Sequence, residues 1–280
     1  MTTPFDDRIL LWHWRGGAVV QRTIDELAAY VRAQMPNASG IAIKTSNGRV
    51  WQGAYDDPVP AMAINGPESI ATWVDELDRH GLETHLWCVV HGLDIDAEAA
   101  RIIEACEVDG VRSMILDVEA GEQYFGSQPP AAARALIERV RGAIPDDFHL
   151  GLCLFARQGE PERIHIREWL PHVQSLHPMV YHWDFSRGEG EPEPYIDEAF
   201  AALRPYDRPL VPIFGNYADP FSGRPVPPEH LTRAAAYAAW QGAVGVSFFR
   251  LGAVRNDEAA AQHAAIRQID LRAARAEPPA

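Results

Sequence analysis

Cysteine is scarce: Cys88, Cys106 and Cys153 are the only three in 280 residues, an odd number, widely spaced and set in apolar runs such as Leu86 to Val90 and Leu150 to Phe155. That excludes a disulfide framework and a zinc site, and the three read as reduced core thiols. Basic residues are also in deficit, with 25 Lys and Arg against 39 Asp and Glu for a net charge of −14. A field of that sign repels phosphate backbones and anionic head groups, so neither nucleic acid nor a membrane surface is an expected partner. No apolar window approaches the roughly eighteen residues of a membrane span. The first residues, Met1-Thr2-Thr3-Pro4-Phe5-Asp6-Asp7, lack the basic and apolar regions of a signal peptide. The expected location is the cytoplasm, or outside the cell by release without a signal peptide. A glycine-rich phosphate turn is missing as well, because Trp14-Arg15-Gly16-Gly17 does not match the dinucleotide fingerprint. What is present, 47% apolar and 23% charged side chains, describes a globular chain able to bury one substantial core.

The hydrophobic pattern alternates short β-rich runs with longer amphipathic stretches, the signature of parallel strands joined by crossover helices. Strands are predicted near Arg8–Trp14, Gly40–Thr45, Glu83–His91, Val111–Glu119, His149–Ala156, His177–Trp183, Pro209–Asn216 and Val244–Leu251. Helices are predicted at Thr23–Gln34, Glu68–His80, Asp96–Cys106, Pro130–Gly142, Ile166–Ser175, Tyr195–Leu203, Pro228–Gln241 and Asp257–Ala273. Caps agree with the periodicity: Thr23 precedes Asp25 and Glu26, Pro130 opens a first turn, and Gly81, Gly110 and Gly242 close helices. Eight units of roughly 35 residues suit an α/β fold of one kind, a single (β/α)₈ TIM barrel over residues 1–280 with a short flexible tail from about 272. An open doubly wound sheet is the alternative, and the missing phosphate turn speaks against it.

In such a barrel the chemistry sits where strands end. The fourth strand ends Ser113-Met114-Ile115-Leu116-Asp117-Val118-Glu119, and alternation with period two puts Asp117 and Glu119 on one face, above Ser113 and Ile115. Two like charges in a partly desolvated site cannot both ionise freely. One pKa must rise, as a general acid working near neutral pH requires. The bland reading makes Asp117 a satisfied buried polar residue and Glu119 a solvated one.

These residues resemble the fourth strand of the family 18 glycosidases, chitinases and their relatives, which ends Asp-x-Glu with the Glu as proton donor. They are also similar to the family 25 muramidases. Pro178-Met179-Val180-Tyr181 resembles the Met-x-Tyr segment of the chitinase-like barrels, in which the Tyr holds the substrate's acetamido group. The resemblance implies Glu119, Asp117 and Tyr181 as the catalytic group. The chain departs from it where Arg112 and Ile115 replace further aspartates, where His182 follows Met-x-Tyr in place of Asp, and where Phe248 and Phe249 stand near the expected strand-eight Trp. Trp12-His13-Trp14 also lacks the first-strand Asp of a muramidase.

Aromatic side chains at the strand ends suit the flat C–H faces of pyranose rings, and Trp14, Trp51, Trp87, Tyr124, Phe125, Tyr181, Trp183 and Tyr217 are candidates. Lys44, His91, His182, Asn216 and Arg250 complete the expected substrate-binding set. The implied activity is glycosidic bond cleavage in an N-acetylated glycan, peptidoglycan or chitin-type, with an oligosaccharide or polysaccharide as the partner and no cofactor. Two other readings stay open. One is a carbohydrate-binding or structural barrel that lost the chemistry. The other is a metal-dependent hydrolase using His13, His91 and His182, although Trp12-His13-Trp14 lacks the His-x-His pair usual there. Lys44 could form a Schiff base, or be a solvated lysine opening a turn.

Overall fold

The computed structural model describes residues 2–56, 59–157, 159–252 and 256–276, and of residues 256–258 the backbone only. Strand β1 (Ile9–His13) is followed by helix α1 (Ile24–Gln34), β2 (Gly40–Asn47), a short β3 (Val50–Trp51), α2 (Pro67–Arg79), β4 (Glu83–Val89), α3 (Ile95–Cys106), β5 (Val111–Asp117) and α4 (Pro130–Arg141). The second half runs β6 (His149–Phe155), α5 (Glu160–Arg163), α6 (Ile166–Trp169), β7 (Ser175–Val180), α7 (His182–Phe185), α8 (Pro192–Leu203), β8 (Ile213–Gly215), α9 (Pro228–Trp240), β9 (Val246–Phe249), α10 (Asn256–Ile266) and α11 (Leu271–Ala276). Eight strands pair in parallel around a ring, and β1 closes it by pairing with both β2 and β9. β3 folds back antiparallel on β2 outside the ring. The chain is a single closed (β/α)₈ barrel.

Alternation sorts each strand into two cores. Ile9 and Leu11 of β1, Ile41 and Ile43 of β2, and Met114 and Leu116 of β5 face the helices, where they pack with Trp73, Ile102, Leu136 and Phe200. Leu10, Trp12, Ala42, Trp87, Ile115, Cys153, Met179 and Ile213 fill the interior. The floor of the barrel is polar. His85 shares a 2.8 Å hydrogen bond with Ser113, Ser175 bridges His149 at 2.8 Å and His177 at 2.9 Å, and the Phe5 ring packs on all three imidazoles. Burial pushes each of these histidines below its ordinary range, so the floor is uncharged at neutral pH.

Local chemistry explains the boundaries. Thr23 accepts from the Glu26 N–H to open α1, Asp94 does the same for Ala97 at α3, and Gly81 and Gly242 take positive φ after α2 and α9. The strand expected over Pro209–Asn216 shrinks to three residues because Pro209 and Pro212 have no N–H to give the ladder, leaving a single bridge between Leu176 and Leu210. The helix expected over Ile166–Ser175 stops at Trp169, and β7 already starts at Ser175, whose side chain is needed in the floor. Part of the expected C-terminal tail is helix α11, where Arg275 pairs with Asp7 at the foot of β1, while residues 277–280 lie outside the described residues. No helix among the described residues is long and apolar enough to cross a membrane.

Gly151 is fixed by the floor, since a Cβ there would meet His177 Nε2 at 2.6 Å and Ser175 Oγ at 3.1 Å. Replacing it with Val overfills the barrel, and urea unfolding is expected to register a loss of about 1–3 kcal/mol. An unchanged midpoint would mean that the floor yields.

Candidate active site

Because β5 pairs with β4 on one side and β6 on the other, Asp117 stands level with Val89 and Cys153 at the top of the interior. Glu119 follows on the same face, just past the strand. Its segment is held by the Val118 N–H donating to Cys153 O and the Gly126 N–H donating to Glu119 O. Gly126 makes that return possible, because a Cβ would lie 2.2 Å from Ala120 O. Asp117, Glu119, Trp14, Lys44, Trp87, Tyr124, Tyr181 and Arg250 line one cavity of about 330 Å³, together with Trp12, Asn47, Phe155, Met179 and Phe249.

Asp117 is 7% exposed, receives the Cys153 thiol and carries one buried oxygen with no partner. Burial pushes its carboxyl up to about 6, against the pull of the Cys153 hydrogen bond and the Lys44 charge. Glu119 is half-buried and makes no side-chain hydrogen bond among the described residues. Burial first, and the Asp117 charge second, push it up to about 8, with Lys44 opposing. Lys44 is itself 8% exposed, stacks with its Nζ 5.0 Å from the centre of the Trp87 ring, and is drawn down by burial while Asp117 holds it charged. The two acids therefore titrate as a coupled pair, both raised by burial, with Glu119 raised further by the Asp117 charge.

The remaining sequence candidates fall elsewhere. The chain leaves the sheet at Val180, and Tyr181 O accepts from the Phe185 N–H to start α7, so His182 and Trp183 turn away from the mouth instead of extending the strand. His182 is fully buried against His230 at 3.2 Å, and the Trp183 indole donates to Arg224 O. Asn216 has the alternation parity of Phe214, which faces the helices, and is 1% exposed. Tyr217 lies beside the cavity, edge-on to Tyr181 at 5.7 Å, with its hydroxyl donating to Asp184. His91 stacks on Tyr124 in an adjoining groove of about 700 Å³, which Asn47 also borders. Of the other aromatics, Trp51 lies under Arg101 and Phe125 is fully buried against Trp169. His13 points outward onto Trp73, so His13, His91 and His182 do not converge. Among the described residues no cluster of three or more His, Cys, Asp or Glu is arranged to hold a metal ion.

Two residues of the site were hidden in the sequence. Cys153 looks like core, and only the β5–β6 register reveals it as the donor to Asp117. Trp12 looks like one more apolar residue of β1, yet it forms the cavity floor with Trp87, 5.0 Å away.

No protein-family model and no curated protein matches the chain by sequence. Solved structures do match by shape. Active domain 2 of a thermostable chitinase from Pyrococcus furiosus superposes with a TM-score of 0.66 over 99% of both chains at 10% identity. The spore cortex-lytic enzyme SleL of Bacillus cereus gives 0.61 over 92% of this chain and 73% of that one, also at 10% identity. The PgaB (BpsB) glycoside hydrolase domain from Bordetella bronchiseptica gives 0.56 over 97% and 98% at 13% identity. The chain shares the (β/α)₈ barrel fold of these proteins. At such identities the likeness is one of fold, so the chemistry of this barrel rests on its own mouth.

A carboxyl whose pKa is raised in the folded state binds its proton there before it does in the unfolded chain. Stability is then lost as pH rises from the ordinary Glu range through about 8. Glu119→Gln removes that loss. Thermal melts of the two proteins are expected to coincide below pH 4.5 and to diverge above it, with the variant more stable by about 1–3 kcal/mol beyond pH 8. Parallel curves across the range would show that Glu119 titrates normally.

Proposed function

We propose that this protein is a glycoside hydrolase that cleaves an N-acetylated glycan by carboxylate acid catalysis. The observation that carries the reading is Glu119: half-buried, without a hydrogen-bond partner among the described residues, next to Asp117, and pushed upward by burial and by the Asp117 charge, as a general acid working near neutral pH requires. An acid of that kind protonates the glycosidic oxygen as the bond to the anomeric carbon breaks, and the neighbouring carboxylate stabilises the positive charge that develops. The aromatic walls, Trp12, Trp14, Trp87, Tyr124, Phe155, Tyr181 and Phe249, offer ring faces to a sugar.

Two unused groups support the N-acetyl part of the reading. The buried Asp117 oxygen without a partner accepts an amide N–H, and the Tyr181 hydroxyl, which makes no hydrogen bond among the described residues, donates to an amide carbonyl. In one route the acetamido oxygen attacks the anomeric carbon while Asp117 orients the amide and Tyr181 holds it. In the other, Asp117 stabilises the oxocarbenium-like centre directly. Peptidoglycan fragments and chitooligosaccharides are the substrates to assay, the partners being glycan chains.

Glu119→Gln is expected to lower kcat on a cleaved substrate by about 10²–10⁴-fold. The parent's kcat/KM is expected to be bell-shaped, with limbs near 6 for Asp117 and 8 for Glu119. Full activity in the variant removes Glu119 from the role of proton donor. Binding of the same oligosaccharides without cleavage by the parent would make the barrel a lectin.

A further inference from the structure

Lys44 and Arg250 line the cavity of the two acids and Arg15 stands next to Arg250 across the Trp14 ring, and none of the three has a carboxylate within ion-pair distance among the described residues. Elsewhere on this strongly acidic chain several arginines sit on carboxylates, as Arg134 does on Glu168, Arg163 on Glu160 and Arg233 on Glu191 and Glu193, and others on backbone carbonyls, as Arg32, Arg141 and Arg208 do. The two arginines at the mouth share a ring instead. The guanidinium carbons of Arg15 and Arg250 lie 4.1 and 4.2 Å from the centre of the same Trp14 ring. Stacking uses the face of a guanidinium and leaves its N–H fork, which lies in the plane, free to bind. The Arg15 Nε is buried without a partner, and Arg250, half-buried, lines the cavity of the acid pair.

The arrangement is also held in place. The buried Asp56 carboxylate accepts from the Gly16 N–H at 2.6 Å and the Gly17 N–H at 3.0 Å, fixing the turn after β1 that carries Trp14 and Arg15. Arg15 and Arg250 repel each other, and Arg15 repels Lys44, while burial adds to the cost. Like charges gathered in a half-dry site, where among the described residues Asp117 and Glu119 oppose only the Lys44 charge, are unstable by themselves, and an arriving anion relieves them.

We infer that Arg15 and Arg250, stacked with Trp14, form a carboxylate-binding subsite, so that the glycan taken by this mouth is an acidic one. The inference rests on the glycan reading above and narrows it. A local cationic spot in a chain of net charge −14 admits a carboxylate at one position and leaves the rest of the surface repelling it. The carboxylate could belong to the sugar ring, as in a uronate, or to an ether-linked substituent, as in muramic acid. Both meet the same guanidinium forks.

Calorimetry on Glu119→Gln, which retains the ligand, tests this with three probes. They are a peptide-free tetrasaccharide of alternating N-acetylglucosamine and N-acetylmuramic acid, the same tetrasaccharide with its carboxyls converted to methylamides, and a hyaluronan tetrasaccharide. Affinity for a free-acid probe is expected to exceed that for the amidated one by about tenfold, to fall toward it at high salt, and to lose the margin in Arg15→Met and Arg250→Met. The free-acid probe that binds identifies the source of the carboxylate. Equal affinity for acid and amide, or no binding of any probe, overturns the subsite, and the comparison needs no variant arginine to fold. Cleavage by the parent is scored separately. Equal turnover of acid and amide sinks the subsite and leaves the hydrolase standing, whereas a binding preference without turnover does the reverse.

Discussion

Closure of the sheet between β1 and β2 is the constraint on which the rest depends. A ring of eight tilted strands gives every second residue one destination, the interior, and the interior ends in a mouth that water reaches only from above. Two acids at that rim are placed together by alternation along β5, and burial then does the chemistry: it penalises both charges, and Asp117 adds to the penalty on Glu119. Lys44 from β2 opposes the rise of both acids without forming an ion pair with either.

The interior below is built to tolerate this. Ile115 lies directly beneath Asp117 where the resembling chitinase motif carries another acid, so a single lysine has one fewer carboxylate to balance. Trp12, Trp87 and Met179 separate the charged rim from the polar floor, where three neutral histidines share hydrogen bonds with two serines against Phe5. The polar groups of the barrel interior are thus divided between an upper set at the mouth and a lower set in the floor, with an apolar layer between them.

The eight strands and most helices were legible because hydrophobic period, capping residues and glycine positions agree along the chain. The acid pair was legible for the same reason, since alternation needs only the strand's own sequence. What was hidden depended on neighbours. The β5–β6 register makes Cys153 a partner of Asp117, the prolines at 209 and 212 shorten β8, and the turn at Tyr181 sends His182 and Trp183 into α7. Strand-end candidates were over-counted because the turn at Tyr181 carries Trp183 off the strand, while Asn216 keeps the alternation of Phe214 and so faces the helices. The Arg15–Trp14–Arg250 stack joins the two ends of the barrel ring, β1 and β9, which are more than 200 residues apart, so no local pattern announces it.

The central claim is that this mouth keeps a carboxylic acid protonated at neutral pH. Carbon-13 NMR of side-chain carboxyls, followed from pH 4 to 9 and assigned by loss of a signal in Glu119→Gln, measures it directly. The Glu119 carboxyl is expected to titrate near 8, with the Asp117 signal moving near 6 and responding to the same proton. A Glu119 resonance that completes its titration below pH 5 would contradict it.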